Sequence, residues 1–257
     1  MHQLPGCSMM DNGMDREGRR FAAVVLRKVG RAVNTWGMAG EGDTIAVALS
    51  GGTDSMVLLE TLASRRRRLP ISYEVTAVHV KVAEVGYGLD REYAEEFCRS
   101  LDVSFHYRTI GMGAGAEEGG TPCFLCARLR RKALFDFMAE RRCTRLALGH
   151  HRDDAVETLL MNMVFNGHIS TMPPRLSMFG GEFDIIRPLA LLGKEEVERY
   201  AALRGIRAAA VKCPFGDDTR RNDIRRLVGE MEKLYPGARR NLFRSMGNIR
   251  KDYLPGG

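Results

Sequence analysis

The sequence predicts an α/β fold, a doubly wound and mostly parallel β-sheet covered by helices, with extra basic helices at the N- and C-termini. Two observations predict it. Short apolar segments rich in β-branched residues alternate with segments whose apolar residues recur at helical spacing. A glycine turn, Ser50-Gly51-Gly52, joins the first of these strands to the next helix. Repeated strand–helix units of this kind place their strands parallel in one sheet.

The predicted elements follow one another regularly as far as residue 165. An amphipathic helix at 16–38 comes first, and its apolar side chains, among them Phe21, Val25 and Val29, share one face. The alternation then predicts strands at 44–49, 73–80, 104–110 and 145–148, separated and followed by helices at 54–62, 90–101, 124–140 and 153–165.

Two loops and a basic C-terminal part complete the prediction. Residues 111–121 are rich in glycine and residues 166–181 contain two adjacent prolines, so both segments are predicted to be loops. The later pattern predicts strands at 183–186 and 206–211 and helices at 194–204, 219–234 and 238–249. We therefore divide the chain into an N-terminal helical extension (1–40), a main α/β domain with a Cys-x-x-Cys insertion (41–215) and a basic helical segment (216–257).

Composition and charge exclude some classes of protein. Hydrophobic residues make up 44% of the 257 residues, yet no apolar run approaches the roughly 20 residues of a membrane span. Residues 1–20 lack the apolar core of a secretory signal, so we expect a cytoplasmic protein. The net charge of +7 is concentrated in residues 65–68, 128–132, 220–226 and 239–251. This pattern fits either solvated helix faces or a nucleic-acid-binding surface.

The glycine turn has the properties of a phosphate-binding loop. Gly51 and Gly52 let backbone N–H groups approach an anion, and the helix that follows presents the positive end of its dipole. The hydroxyls of Ser50 and Ser55 can donate hydrogen bonds to phosphate oxygens. Asp54 can hold a magnesium ion that neutralises a pyrophosphate leaving group. An ordinary strand-to-helix turn would not need both glycines with flanking serines, so we predict a phosphate site.

The spacing of this loop narrows the class of enzyme. It lacks the Gly-Lys-Ser/Thr of a Walker motif and the Gly-x-Gly-x-x-Gly of a dinucleotide site. Ser-Gly-Gly-x-Asp-Ser after an apolar strand resembles the PP-loop ATP pyrophosphatases instead. The resemblance implies an adenine nucleotide alpha hydrolase-like fold and cleavage of ATP between its α and β phosphates. It also implies adenylation of a carbonyl oxygen with release of pyrophosphate.

Three of the six cysteines are candidate metal ligands. The spacing of Cys123 and Cys126 would let both bind one metal ion or cluster, although packing or zinc binding explains such a pair equally well. Cys213 follows a predicted strand, whose end should face the ligand crevice. Three thiolates cannot complete a usual zinc site but can hold a 4Fe–4S cluster with one iron left open. Cys98 and Cys143 are interpreted as buried packing residues.

A second polar motif, GHHRDD at residues 149–154, begins at a predicted strand end and enters a helix. It brings two carboxylates and two imidazoles towards the same crevice. An alternative is that the acids cap the helix and that the histidines are packed or bind zinc.

Four longer segments point to one family: PCFLCARLRRKALF, LALGHHRDDAVETLLMNM, MPPRL and IIRPLA. Together they resemble the tRNA 2-thiocytidine synthetase family over about residues 43–253. The resemblance implies that Cys123, Cys126 and Cys213 ligate a 4Fe–4S cluster. It implies that ATP activates the C2 oxygen of cytidine 32 in a tRNA and that sulfur then displaces AMP. A persulfide carrier such as a cysteine desulfurase would supply the sulfur, and the enzyme would form a homodimer.

The same resemblance assigns the ATP site. His79 and Val80, at the end of the second strand, would flank the adenosine, and Arg130 or Arg131 would contact phosphate. Asp54 would hold Mg²⁺ and would form the catalytic set with the three cysteines. The residues assigned to ATP are Ser50, Gly51, Gly52, Asp54, Ser55, His79, Val80, Arg130, Gly149 and Asp153.

The chain departs from the family pattern in three places. Thr53 stands where the family usually has lysine, Gly216 takes the place of a second cysteine after Cys213, and the region after His79 lacks a proline-rich stretch. Two other functions remain open. One is a ligase of the tRNA lysidine synthetase type, which shares both polar motifs but attacks the adenylate with lysine. The other is a non-catalytic ATP-binding cluster protein.

Overall fold

The computed structural model describes residues 14–67, 69–85, 88–112, 122–211 and 219–253, without the side chains of residues 122, 123, 211, 219 and 251. The helices of this part are α1 (Arg16–Thr35), α2 (Thr53–Arg66), α3 (Arg91–Ser100), α4 (Pro122–Arg141), α5 (Arg152–Asn166), α6 (Lys194–Leu203), α7 (Thr219–Leu234) and α8 (Ala238–Ser245). The strands are β1 (Thr44–Ala48), β2 (Glu74–Val82), β3 (Gly88–Leu89), β4 (Ser104–Ile110), β5 (Arg145–Ala147), β6 (Arg175–Met178), β7 (Phe183–Ile186) and β8 (Ala210–Val211).

Six strands form the central sheet in the order β4-β2-β1-β5-β7-β6. Neighbouring strands are parallel except for the antiparallel edge pair β6–β7. The chain runs from β1 through β2 to β4, then crosses back to β5 on the other side of β1. The predicted doubly wound, mostly parallel sheet is therefore confirmed. Its switch point lies between the carboxyl ends of β1 and β5, where ligands bind in open α/β sheets.

Side chains that alternate along the strands fill an apolar layer on each face of the sheet. Ile45 and Val47 of β1 belong to the layer that also contains residues of α1, α2, α3 and α6. Ala46, between them, belongs to the layer of Phe137 and Met138 from α4. This period of two follows from the extended backbone. Because helices cover both faces, β1 is apolar from Ile45 to Ala48, as is usual for strands of parallel sheets.

The C-terminal helices pack on the outside of α5. Val156 and Leu160 of α5 form a small apolar cluster with Ile224 and Val228 of α7. Beside it the buried carboxylate of Glu157 accepts hydrogen bonds from arginines of α7. Helix α7 is thereby held next to the turn that enters α5. Helix α8 ends at Ser245, earlier than the 238–249 prediction.

The predicted loop at 166–181 was wrong in one part, because it contains strand β6. Arg175, Leu176 and Ser177 are exposed, and the strand is held by antiparallel pairing with β7. An edge strand with solvent on both sides shows no alternating apolar pattern. Backbone pairing, which leaves no trace in residue types, produced this strand.

The predicted strand at 206–211 was also wrong in extent and partner. Only Ala210 and Val211 are extended, and they pair with β3 in a separate two-stranded antiparallel sheet. The argument that Cys213 follows a strand of the main sheet therefore fails. The backbone N–H groups of Ala209 and Ala210 instead donate to the carbonyl of Gly51. This small sheet, like β3 itself, was not recognised from the sequence because two-residue strands have no periodicity.

No helix in the described ranges has both the length and the apolar character needed to cross a membrane.

Candidate active site

The turn after β1 lies at the switch point and has a backbone that only glycine accommodates. Gly51 has a φ of +84°, in the left-handed region that side chains disfavour. Its carbonyl accepts hydrogen bonds from the N–H groups of Ala209 (2.7 Å) and Ala210 (2.9 Å). A Cβ at this position would lie 2.5 Å from Leu89 Cδ1 and 3.0 Å from Ala210 N. The small β3–β8 sheet thus presses directly on the turn and holds its shape.

Serine hydroxyls brace the rest of this turn. Ser55 Oγ donates to the Gly52 carbonyl (2.8 Å), and Ser50 Oγ lies 3.1 Å from Ser55 Oγ. Gly52 is the N-cap of α2 and has no side chain with which to cap the helix, and its own N–H donates to Ser50 Oγ (3.3 Å). A Cβ on Gly52 would meet only Ser50 Oγ, at 3.5 Å. The N-terminus of α2 therefore presents backbone N–H groups and its dipole, which suits an anion.

Asp54, on the first turn of α2, is paired with a lysine that the sequence analysis did not single out. Lys194 Nζ donates to Asp54 Oδ1 (2.8 Å) and Oδ2 (3.0 Å), and His151 Nε2 lies 3.9 Å from Oδ2. Lys194 begins α6 and belongs to no motif. Its position after Gly193, at the start of a helix, is the only signal in the sequence, and helix starts are common.

The turn after β5 packs closely on the backbone of the first turn of α2, which completes the phosphate-loop motif. A Cβ on Gly149 would lie 3.0 Å from Ser55 N and 3.1 Å from Asp54 C, both backbone atoms that cannot move aside. Gly149 therefore has to be glycine for the two turns to meet. The prediction that the two motifs converge on one crevice agrees with this geometry.

The acids and one histidine of the second motif are engaged in helix capping. His151 is the N-cap of α5: its Nδ1 accepts from Asp154 N (3.3 Å), and its own N–H donates to Asp154 Oδ2 (2.9 Å). Asp153 Oδ2 accepts from Lys194 N (2.9 Å), so it caps α6. The capping alternative thus describes Asp154, whereas Asp153 caps a different helix from the one in which it lies. Through Asp153, the start of α6 is fixed at the crevice.

His150 is a half-buried, neutral imidazole. Burial lowers its pKa to about 4, and the nearby guanidinium of Arg187 adds to the effect, while Asp154 opposes it. Arg187 Nε donates to His150 Nδ1 (3.3 Å), so the ring proton is on Nε2. A cleft of about 300 Å³ opens beside this ring, and Phe165 and Arg220 also line it.

Acidification is therefore expected to destabilise the protein through His150. Its folded pKa, about 4, lies below the value of about 6.5 in an unfolded chain, so the unfolded state binds the proton more tightly. The contribution of neutral His150 to the free energy of unfolding is fully present above pH 6.5 and is lost as the pH falls towards 4. Its full size is on the order of 3 kcal/mol. Urea unfolding of the wild type and His150→Gln at pH 7.5 and 4.5 measures it. The variant should lose less stability between these pH values, and an equal loss would contradict the assignment.

His79 and Val80 lie inside β2 rather than at its end, because the strand continues to Val82. The sequence prediction of their position was wrong by two residues. His79 is fully buried, its Nδ1 lies 2.8 Å from the Leu49 carbonyl, and burial lowers its pKa, with Arg130 acting in the same direction. Val80 faces the layer of α4. His79 thus fastens β2 to the end of β1, just before the phosphate loop.

The cysteine prediction is only partly within the described residues. Cys126 is half-buried on α4, whereas the side chain of Cys123 and all of Cys213 lie outside the described part of the chain. Among the described side chains, no three His, Cys, Asp or Glu residues lie close enough to hold a metal ion. Cys98 and Cys143 are buried, as predicted, and burial raises the pKa of both thiols, that of Cys98 to about 12.

Comparison with known proteins gives relatives over nearly the whole chain. Residues 23–232 match the PP-loop domain family. A tRNA-cytidine(32) 2-sulfurtransferase from Geobacter sulfurreducens is 38% identical over 236 residues, which cover 90% of this chain and 91% of the relative. The protein of the same name from Hahella chejuensis is 35% identical over 243 residues, covering 93% and 85% of the two chains.

Among solved structures, the U34-tRNA thiolase NcsA from Methanococcus maripaludis, described with its 4Fe–4S cluster, has a TM-score of 0.75. The match covers 93% of this chain and 81% of that one at 22% sequence identity. At that identity the likeness bears on the fold alone.

Proposed function

The chain belongs to the PP-loop family and is a relative of the tRNA-cytidine(32) 2-sulfurtransferases, and from that premise we propose that it is an ATP-dependent tRNA sulfurtransferase. It would adenylate the C2 oxygen of cytidine 32 and replace that oxygen with sulfur. The observation that supports this best is the close approach of Gly149, in the turn after β5, to the backbone of Asp54 and Ser55 at the start of α2, which brings the two family motifs together.

The residues of this crevice fit the phosphates of ATP. The loop at 50–55 offers backbone N–H groups and the hydroxyls of Ser50 and Ser55 at the N-terminus of α2, and Gly52 leaves the approach free of a side chain. These groups would bind the phosphates and stabilise pyrophosphate as it leaves. Asp54, whose carboxylate is partly exposed, is the proposed ligand for Mg²⁺. We propose the other residues assigned to ATP as further contacts to the nucleotide: His79, Val80, Arg130, Gly149 and Asp153.

Cys123, Cys126 and Cys213 are the proposed ligands of a 4Fe–4S cluster. Cys126 lies three residues after Cys123 on α4, the spacing of neighbouring positions along a helix. Thiolates are the usual ligands of such clusters. A cluster held by three cysteines would supply sulfide from its open iron to the adenylated base. As the source of that sulfur we propose a persulfide carrier such as a cysteine desulfurase, together with a thiol that reduces the persulfide by two electrons and releases sulfide. We also propose a homodimeric assembly.

The cleft beside His150 is the proposed contact for unpaired bases of the tRNA. Phe165 lines this cleft and is 43% exposed, and the guanidinium of Arg220 lies 5.5 Å from the centre of the Phe165 ring. An exposed aromatic ring next to arginines is typical of surfaces that stack single-stranded bases and bind phosphates. The cleft extends from Phe165 to His150 of the turn before α5, so RNA held along it would reach the crevice.

We expect Phe165→Ala and Arg220→Gln to weaken tRNA binding in different ways. Loss of the ring should cost about 1 kcal/mol or more of binding free energy without changing the salt dependence. Loss of the guanidinium should also lower the slope of log affinity against log salt by about 1. Filter binding of tRNA at several salt concentrations measures both. Val164→Ala, at a neighbouring side chain that is 59% exposed, is the matched control and should bind like the wild type.

Two measurements on the same preparation test the proposed function. The purified protein, loaded with iron and sulfide under anaerobic conditions, should release pyrophosphate from ATP when tRNA and a sulfide source are present. Mass spectrometry of the tRNA nucleosides should show 2-thiocytidine. Appearance of lysidine when lysine replaces the sulfide source would favour the ligase instead, and ATP binding without pyrophosphate release would favour a non-catalytic protein.

A further inference from the structure

The side chain of Lys194 reaches the phosphate loop from a distant part of the chain. Its ammonium pairs with both carboxylate oxygens of Asp54, at 2.8 and 3.0 Å. Its backbone N–H is held by Asp153 (2.9 Å), so the start of the side chain is fixed beside the loop. The side chain is 39% exposed, and its other charged neighbour, Glu198, lies 3.7 Å away. The side chain is therefore fixed at its backbone end and partly exposed to solvent.

The charges of the loop give this ammonium a role. Residues 50–55 contain one ionisable side chain, Asp54, which is an anion, and no lysine or arginine. Backbone N–H groups and a helix dipole provide only partial positive charges for a polyphosphate. Thr53 occupies the first position of α2, where a basic side chain would point back over the loop. A full positive charge comes to this loop from Lys194 instead.

We propose that Lys194 is a polyphosphate-binding residue supplied to the loop by α6. Its ammonium balances Asp54 in the nucleotide-free protein and contacts the β and γ phosphates of ATP when the nucleotide is bound. Three donors on a four-carbon stem allow this change of partner without movement of the helix. This inference rests on the proposed function, since it takes ATP as the ligand of the loop.

Equilibrium binding of ATP and of AMP to Lys194→Met tests the proposal, because AMP lacks the β and γ phosphates. Calorimetry should show ATP bound about 10- to 100-fold more weakly than by the wild type, the range for a lost charge-assisted hydrogen bond. Affinity for AMP should change by less than about threefold. Lys233→Met, which removes an exposed lysine from α7, is the control and should bind ATP like the wild type.

The double variant Thr53→Lys/Lys194→Met tests the same idea by rescue. A lysine at position 53 would return an ammonium to the loop, so affinity for ATP should recover to within about threefold of the wild type. Equal weakening of ATP and AMP would overturn the proposal and make Lys194 a positioning residue for Asp54. Unchanged or tighter ATP binding by Lys194→Met would overturn it as well. A wild type that binds no ATP would overturn the proposed function itself, which separates the two failures.

Discussion

Replacing Cys126 by serine is expected to abolish formation of 2-thiocytidine while ATP still binds. Cys126 is the described member of the three proposed cluster ligands, and a serine hydroxyl stays protonated at neutral pH and does not replace a thiolate on iron. The anaerobically prepared variant should lose its brown absorbance and most of its iron. Thiolation should fall by more than about 100-fold, because loss of a ligand exceeds the effects seen for groups that only support ligands.

Two other cysteines of the chain provide matched controls. Cys98 and Cys143 are buried, and their raised thiol pKa values make them poor metal ligands near neutral pH. Cys98→Ala and Cys143→Ala should therefore keep the iron and the thiolation activity, with only a modest loss of stability. A Cys126→Ser protein with full iron content and full activity would eliminate the cluster assignment. Normal ATP affinity in that variant would show that the loss does not arise from misfolding.

The second large effect is expected for Gly51→Ala. The φ of +84° costs a residue with a Cβ about 1 to 2 kcal/mol, and the new atom would meet Leu89 at 2.5 Å and the Ala210 backbone at 3.0 Å. The turn would have to move away from the β3–β8 sheet. Because displacement of a catalytic group by about 1 Å costs on the order of 100-fold, pyrophosphate release should fall by at least that factor. Initial rates of pyrophosphate release measure it.

Two further glycines separate a local effect from general destabilisation. Gly149→Ala should also impair pyrophosphate release, because its Cβ would press on the backbone of Ser55 at 3.0 Å. Gly229→Ala in α7 meets nothing within 4 Å and should leave activity intact while stabilising the helix by about 0.5 to 1 kcal/mol. Urea unfolding of all three variants shows whether they are folded. Full activity of Gly51→Ala would mean that the turn does not hold the phosphates.

The spacing of apolar residues predicted most of the helices and strands, because each of these elements depends mainly on residues that are close in sequence. The helical spacing in α1 and the β-branched run of β1 report which side chains are buried, and burial on each face determines the element. The phosphate loop could be predicted for a similar reason. The positive φ of Gly51 and the N-cap of α2 at Gly52 both favour glycine, and glycine is visible in the sequence. The very short strand β3, the pairing of β8 with it and the exposed strand β6 escaped prediction, since their only determinant is backbone pairing.

The sequence by itself determined the sheet, the loop chemistry and the family motifs, whereas the tertiary structure decided which of those groups meet. The Asp54–Lys194 pair joins residues 140 positions apart, and no spacing rule connects them. Asp153 was predicted at the nucleotide site, yet its carboxylate caps α6 and so brings Lys194 to the phosphate loop. Such contacts follow from how helices cross the sheet. The residue types allow many partners for a carboxylate, and only packing selects one.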